Sequence, residues 1–137
     1  MNFQLSVIDT ERHIFEGEAS KLTIPAMDGV MTVLAEHMSV VTPVGIGEVV
    51  VEAPDKTINL TIGKGLFSMH DNAATLLIED ASYTEEISEA RAEEAKKKAE
   101  ELIVKGVTGA DMEAAMATIR RSLLDLRVVR RRKTTRI

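Results

Sequence analysis

Residues 79–105, EDASYTEEISEARAEEAKKKAEELIVK, change their rhythm near Thr84. Before it, apolar residues alternate with polar ones, the period of a half-buried strand. After it they recur every three or four residues, the period of a helix. The stretch beyond Thr84 has no Gly, Pro or aromatic residue and is rich in Ala, Glu and Lys, all strong helix formers. Ser82 with Glu85, or Thr84 alone, offers a start signal. Glu93–Lys97, Glu94–Lys98 and Glu101–Lys105 are i,i+4 pairs in the favourable order, worth roughly 0.2–0.5 kcal/mol each.

Upstream, short strands follow one another at close spacing. FQLSVID places Phe3, Leu5 and Val7 on one face, and KLTIPA does the same with Leu22 and Ile24. EVVVE and TINLTI are joined by Ala53-Pro54-Asp55-Lys56, where Pro suits a turn. GLFSMH and ATLLIED are joined through Asp71-Asn72, a pair that tolerates the left-handed conformation of tight hairpins. This pattern predicts an antiparallel β-sandwich over residues 1–84.

Downstream, Gly106 and Gly109 interrupt the helix, and Met112, Met116, Ile119, Leu123 and Leu126 then follow a heptad seam. The spacing predicts helices over about 85–104 and 110–130, within a segment 85–137, joined by a short connection and therefore antiparallel. The fold class is α+β, mainly β: a sandwich followed by a two-helix hairpin. One face of Ala and one of Met and Leu bury little area, at roughly 25 cal/mol per Å². Such a hairpin is expected to rely for its stability on whatever it touches.

Composition narrows the function. With 45% apolar residues in 137, a core is affordable. The absence of Cys removes disulfides, thiolate nucleophiles and cysteine-ligated metals, and fits a reducing compartment. MNFQLSVIDTERH has no basic leader region, and no window approaches the ~18 apolar residues of a membrane helix. Membrane association is therefore expected through partners only. His13, His37 and His70 are scattered without ligand spacing, and Gly63-Lys64-Gly65 lacks the phosphate-loop pattern. No catalytic residue, metal site or cofactor is expected.

Charge is unevenly spread. Residues 1–84 carry net −8, residues 85–113 net −4 and residues 114–137 net +7, within a total of −5. Arg120, Arg121, Arg127 and the run Arg130–Lys133 exceed what helix-dipole complementation needs. The basic end suits an acidic protein surface. A nucleic acid is the competing partner, but the segment has no aromatic residue for base stacking and the acidic β region repels phosphates.

KLTIPAMDGVMTVLAEHMSVVTPVGIGEV resembles the first-domain signature of the F-type ATP synthase epsilon subunit, with Gly29, Leu34, His37 and Thr42 matching. Thr32 stands where that family usually has Gly, and Ala35 where it usually has Pro. GKGLFSMHDNAATLLIEDA is similar to its Gly-Gly-Phe strand pair through Gly65 and Phe67, and ISEARAEEAKKKAEEL to the start of its helical hairpin. The resemblance spans essentially the whole chain.

It implies a non-catalytic rotor subunit of the central stalk. The sandwich would bind the gamma subunit and sit on the membrane c-ring, coupling ion-driven rotation to ATP synthesis, with Glu36, His37 and Met38 facing the ring. The hairpin would extend into the head, where Arg120, Arg121, Arg127 and Arg130 meet the catalytic beta subunit and gamma and inhibit ATP hydrolysis. The implied location is peripheral, on the cytoplasmic face of a bacterial plasma membrane or, alternatively, the stromal face of the thylakoid. Some members bind ATP through an Ile/Leu-Asp-x-x-Arg-Ala motif. Here Arg91 is kept but Ser88 replaces the Asp, and a supporting arginine of the second helix falls on Asp125, so weak or absent ATP binding is expected. The competing function is a stand-alone β-domain module whose basic helix binds RNA or another polyanion.

Overall fold

The computed structural model describes residues 1–84 and 87–135, with side chains described through Arg131. Ten strands precede two helices: β1 (Phe3–Ile8), β2 (His13–Ala19), β3 (Lys21–Ala26), β4 (Gly29–Leu34), β5 (Val40–Val44), β6 (Gly47–Glu52), β7 (Thr57–Ile62), β8 (Gly65–His70), β9 (Ala73–Ile78), β10 (Ala81–Tyr83), α1 (Glu89–Val104) and α2 (Ala110–Thr135). Two compact units result, Met1–Tyr83 and Thr84–Ile137.

In the first unit the strands hydrogen-bond in the order β10-β7-β6-β3-β5-β8-β9-β1-β2, with β4 branching from β3. The path folds over a single core in which Phe3, Leu5, Leu22, Ile24, Leu60 and Phe67 are at most 1% exposed. Each such side chain contributes roughly 1.5–3 kcal/mol on burial. The alternation read from the sequence is the cause, because residues two apart on a strand share a face. The antiparallel expectation has one exception: β1 runs parallel to β9, from Gln4 opposite Ala73 to Ile8 opposite Leu77. Pairing between strands so far apart in the chain leaves no local sequence signal. Two turns follow their residues closely. Asp71 and Asn72 adopt φ of 49° and 61° between β8 and β9, and Ala53 N donates to Lys56 O at 2.9 Å between β6 and β7. At the β1–β2 turn, Asp9 Oδ1 accepts from the backbone amides of Glu11 and Arg12 at 2.8 and 2.9 Å. Those two bonds hold its carboxyl below the ordinary value of 3.8.

In the second unit α1 and α2 pack as an antiparallel pair. Helix α1 starts at Glu89, later than residue 85, because the Ser88 hydroxyl takes the cap by accepting from Arg91 N at 3.3 Å. Glu85, half of the expected capping pair, lies outside the described residues. The helix closes in a Schellman turn: Gly106, at φ 91°, donates to Ile103 O at 3.1 Å, and Val107 donates to Leu102 O at 3.5 Å. Helix α2 runs on to Thr135, beyond the expected end near residue 130. The expected Met/Leu seam is corrected in part: Leu126 is buried at 3%, as the heptad spacing predicts, but two other members are not. Met116 and Leu123 are 41% and 49% exposed, whereas Ala115 and Ser122 on α2 and Ala92 and Ala99 on α1 are buried. Small side chains let two helix backbones approach closely, so Ala115 and Ser122 join Leu126 on this side of α2 in place of Met116 and Leu123.

Candidate functional site

Glu36, His37 and Met38 follow β4 in a tight turn. His37 N donates to Leu34 O at 3.2 Å, which puts Ala35 and Glu36 at the two central positions. Glu36 has φ 63°, a value that turns of this kind usually give to Gly or Asn. Its N–H donates to Asn72 Oδ1 at 2.8 Å. The next peptide is fixed by His37 Nδ1, which lies 2.8 Å from Met38 O and donates to it. Met38 is left 76% exposed, with Leu34 before it at 53% and Val41 after it at 69%. Apolar side chains so placed beside a carboxylate suit contact with another protein. Nearby, Ser39 Oγ is 3.1 Å from His70 Nδ1, and His70 Nε2 is 3.1 Å from Asp71 Oδ2, all on exposed residues. No nucleophile is paired with a buried base in this group.

The four arginines singled out on α2 differ in their surroundings. Arg120 and Arg127, seven residues apart, are exposed on one side of the helix. Arg121 lies a hundred degrees round, where its Nε sits 3.3 Å from Asp125 Oδ1 with both side chains under 20% exposed. Arg130 turns toward α1, with Nη2 3.5 Å from Glu93 Oε1 and Nε 3.9 Å from Glu89 Oε1. Exposed Arg131 shares the side of Arg120 and Arg127 at the spacing 7 then 4, a periodicity already present in the sequence and overlooked there. The side chains of Arg132 and Lys133, and all of Arg136, lie outside the described residues.

Arg91 is exposed on the first turn of α1. The side chain of Ser88, standing where the nucleotide-binding motif has Asp, is committed to the helix cap. Asp125 faces Arg121. Among the described residues no cluster of His, Cys, Asp or Glu could hold a metal ion, and no helix is long and apolar enough to cross a membrane.

A further surface escaped the sequence reading. An open, largely apolar groove of about 540 Å³ is lined by Met27, Pro43, Gly65, Leu66 and Leu77 among others. Gly65 is required at its floor, because a Cβ there would collide with the Leu77 carbonyl oxygen and approach Ile78 Cγ2 at 2.8 Å.

Residues 2–84 match the family described as ATP synthase, Delta/Epsilon chain, beta-sandwich domain. The ATP synthase epsilon chain of Ruminiclostridium cellulolyticum is 30% identical over 131 residues, covering 96% of this chain and 98% of that one. That of Caldicellulosiruptor saccharolyticus is 28% identical, covering 96% of each. The same fold occurs in a chain of the Euglena gracilis mitochondrial ATP synthase (OSCP/F1/c-ring), with a TM-score of 0.68 at 19% identity over 99% of this chain and 82% of that one. It occurs again in the central stalk/c-ring of the Tetrahymena thermophila mitochondrial ATP synthase, with a TM-score of 0.68 at 12% identity over 92% and 95%. With its sandwich matched and its relatives aligned over nearly their full length, the chain belongs to the ATP synthase epsilon-chain family.

Proposed function

We propose that this chain is a non-catalytic rotor subunit that couples ion-driven turning of a c-ring to ATP synthesis and restrains ATP hydrolysis through its C-terminal hairpin. The sandwich holds the gamma subunit and rests on the ring through Glu36, His37 and Met38. The hairpin swings toward the catalytic beta subunit and presents Arg120, Arg127 and Arg130 to acidic side chains, with Arg121 on the flank. The protein is peripheral, on the cytoplasmic face of a bacterial plasma membrane, and reaches the bilayer only through the ring. It needs no cofactor, and ATP binds the hairpin weakly or not at all.

The observation that carries this reading is the Glu36–Met38 turn. It displays Met38 at 76% exposure beside a carboxylate and holds no acid–base machinery. Such a surface serves protein contact, and epsilon-chain relatives align through it. The arginine stripe supports the second half, since several charge pairs in a partly desolvated cleft bias a two-state element by a few kcal/mol.

Capture experiments test it. Immobilised full-length chain should retain purified gamma subunit and detergent-solubilised c-ring and should ignore single-stranded RNA at physiological salt. Retention of RNA with neither protein bound would replace this reading with the polyanion-binding module.

A further inference from the structure

Glu36 holds a left-handed backbone without being Gly or Asn, so something outside the turn must select that conformation. The partner is a single side chain. Asn72 Oδ1 accepts from Glu36 N at 2.8 Å, while its Nδ2 donates to Asn2 O at 2.9 Å. A donor on one side and a carbonyl on the other fix which way the amide points, because the flipped amide would set donor against donor and acceptor against acceptor. The Asn72 backbone joins in, with its carbonyl accepting from Gln4 N at 3.1 Å. One residue thus ties together the start of β1, the β8–β9 turn and the turn after β4. It is only half-buried and touches no core side chain through these bonds.

The geometry points to Asn72 as a positioning residue for c-ring docking: it acts through Glu36, fixing the turn so that His37 bonds the Met38 carbonyl and Met38 stands outward. This inference rests on the docking role proposed for Glu36–Met38. A turn left to itself would sample right-handed conformations at Glu36 and redirect the two residues that follow, so the ring would have to bind a fraction of the population.

Asn72→Gly is the informative variant. Asn72 has φ 61°, which Gly adopts freely, so the hairpin turn survives and only the side-chain tie is lost. In the full-length protein, hydrogen exchange at the Glu36 amide should accelerate about fivefold, the usual weight of one hydrogen bond. Affinity for detergent-solubilised c-ring should fall by a similar factor, with affinity for purified gamma subunit unchanged. Loss of affinity for both partners together would show general destabilisation and overturn the positioning role. Unchanged ring affinity in the variant, with the wild type binding the ring, would overturn it while leaving the docking reading intact. A wild-type chain that does not bind the ring overturns both.

Discussion

The guanidinium of Arg130 lies 3.5 Å from the carboxylate of Glu93, so the basic end of α2 is tied to α1 within the hairpin. The arginine proposed to meet the catalytic head is already engaged, and extension has to exchange this contact for one with a partner. Both side chains are more than half exposed, so the tie is weak and salt-sensitive, worth up to about 1 kcal/mol.

Replacing Glu93 by Gln weakens that tie while keeping its volume. The extended hairpin should gain population by up to roughly fivefold, visible as stronger inhibition of ATP hydrolysis in the assembled complex. Intramolecular energy transfer between dyes on the two units would report the shift directly. An unchanged transfer efficiency would show that the pair does not bias the hairpin.

The arginines of α2 should separate by their surroundings. Arg120→Gln and Arg127→Gln remove exposed charges and should relieve inhibition with the melting temperature unchanged. Arg121→Gln strips Asp125 of a partner on a half-buried face and should lower stability by about 1–3 kcal/mol, with less effect on hydrolysis. Steady-state hydrolysis and thermal denaturation of the three variants check the division.

Nucleotide binding should be negligible. Ser88 caps α1 rather than facing a ligand, and the Asp125 carboxylate is engaged with Arg121. A ligand at a hundredfold its Kd stabilises a protein by about 2.7 kcal/mol, several degrees in a domain of this size. Millimolar ATP should leave the melting temperature of the isolated chain where it was.

Gly65→Ala tests the close approach of β8 to β9. The new methyl meets the Leu77 backbone, which cannot move aside as a flexible side chain could, so the loss should be at least about 1–3 kcal/mol in denaturant titration. Gly45→Ala, with nothing near the added carbon, is the matched control.

Much of the fold was legible because its causes are local. Phe3, Leu5 and Val7 alternate inward, Asp71-Asn72 makes its turn, and Gly106 stops α1. What escaped depends on tertiary context. The parallel β1–β9 pair joins strands with no sequence signal in common. On the hairpin seam Ala99 and Leu126 are buried as expected, but Ala92, Ala115 and Ser122 take the place of Met116 and Leu123 because closeness of approach outweighed hydrophobicity. At the start of α1 the pattern pointed to Ser82 or Thr84, whereas the backbone geometry gives the cap to Ser88. In the candidate site, Glu36, His37 and Met38 were marked by resemblance, whereas the bond from Glu36 to Asn72 joins residues 36 apart and could be seen only in three dimensions.

Ion-gradient-driven ATP synthesis by reconstituted complex, with and without this chain, addresses the rotor role most directly. Vesicles holding complex stripped of the chain should hydrolyse ATP yet synthesise almost none, and adding the full-length protein should restore synthesis in proportion to the amount bound. Equal synthesis by stripped and replenished complex would contradict the coupling role.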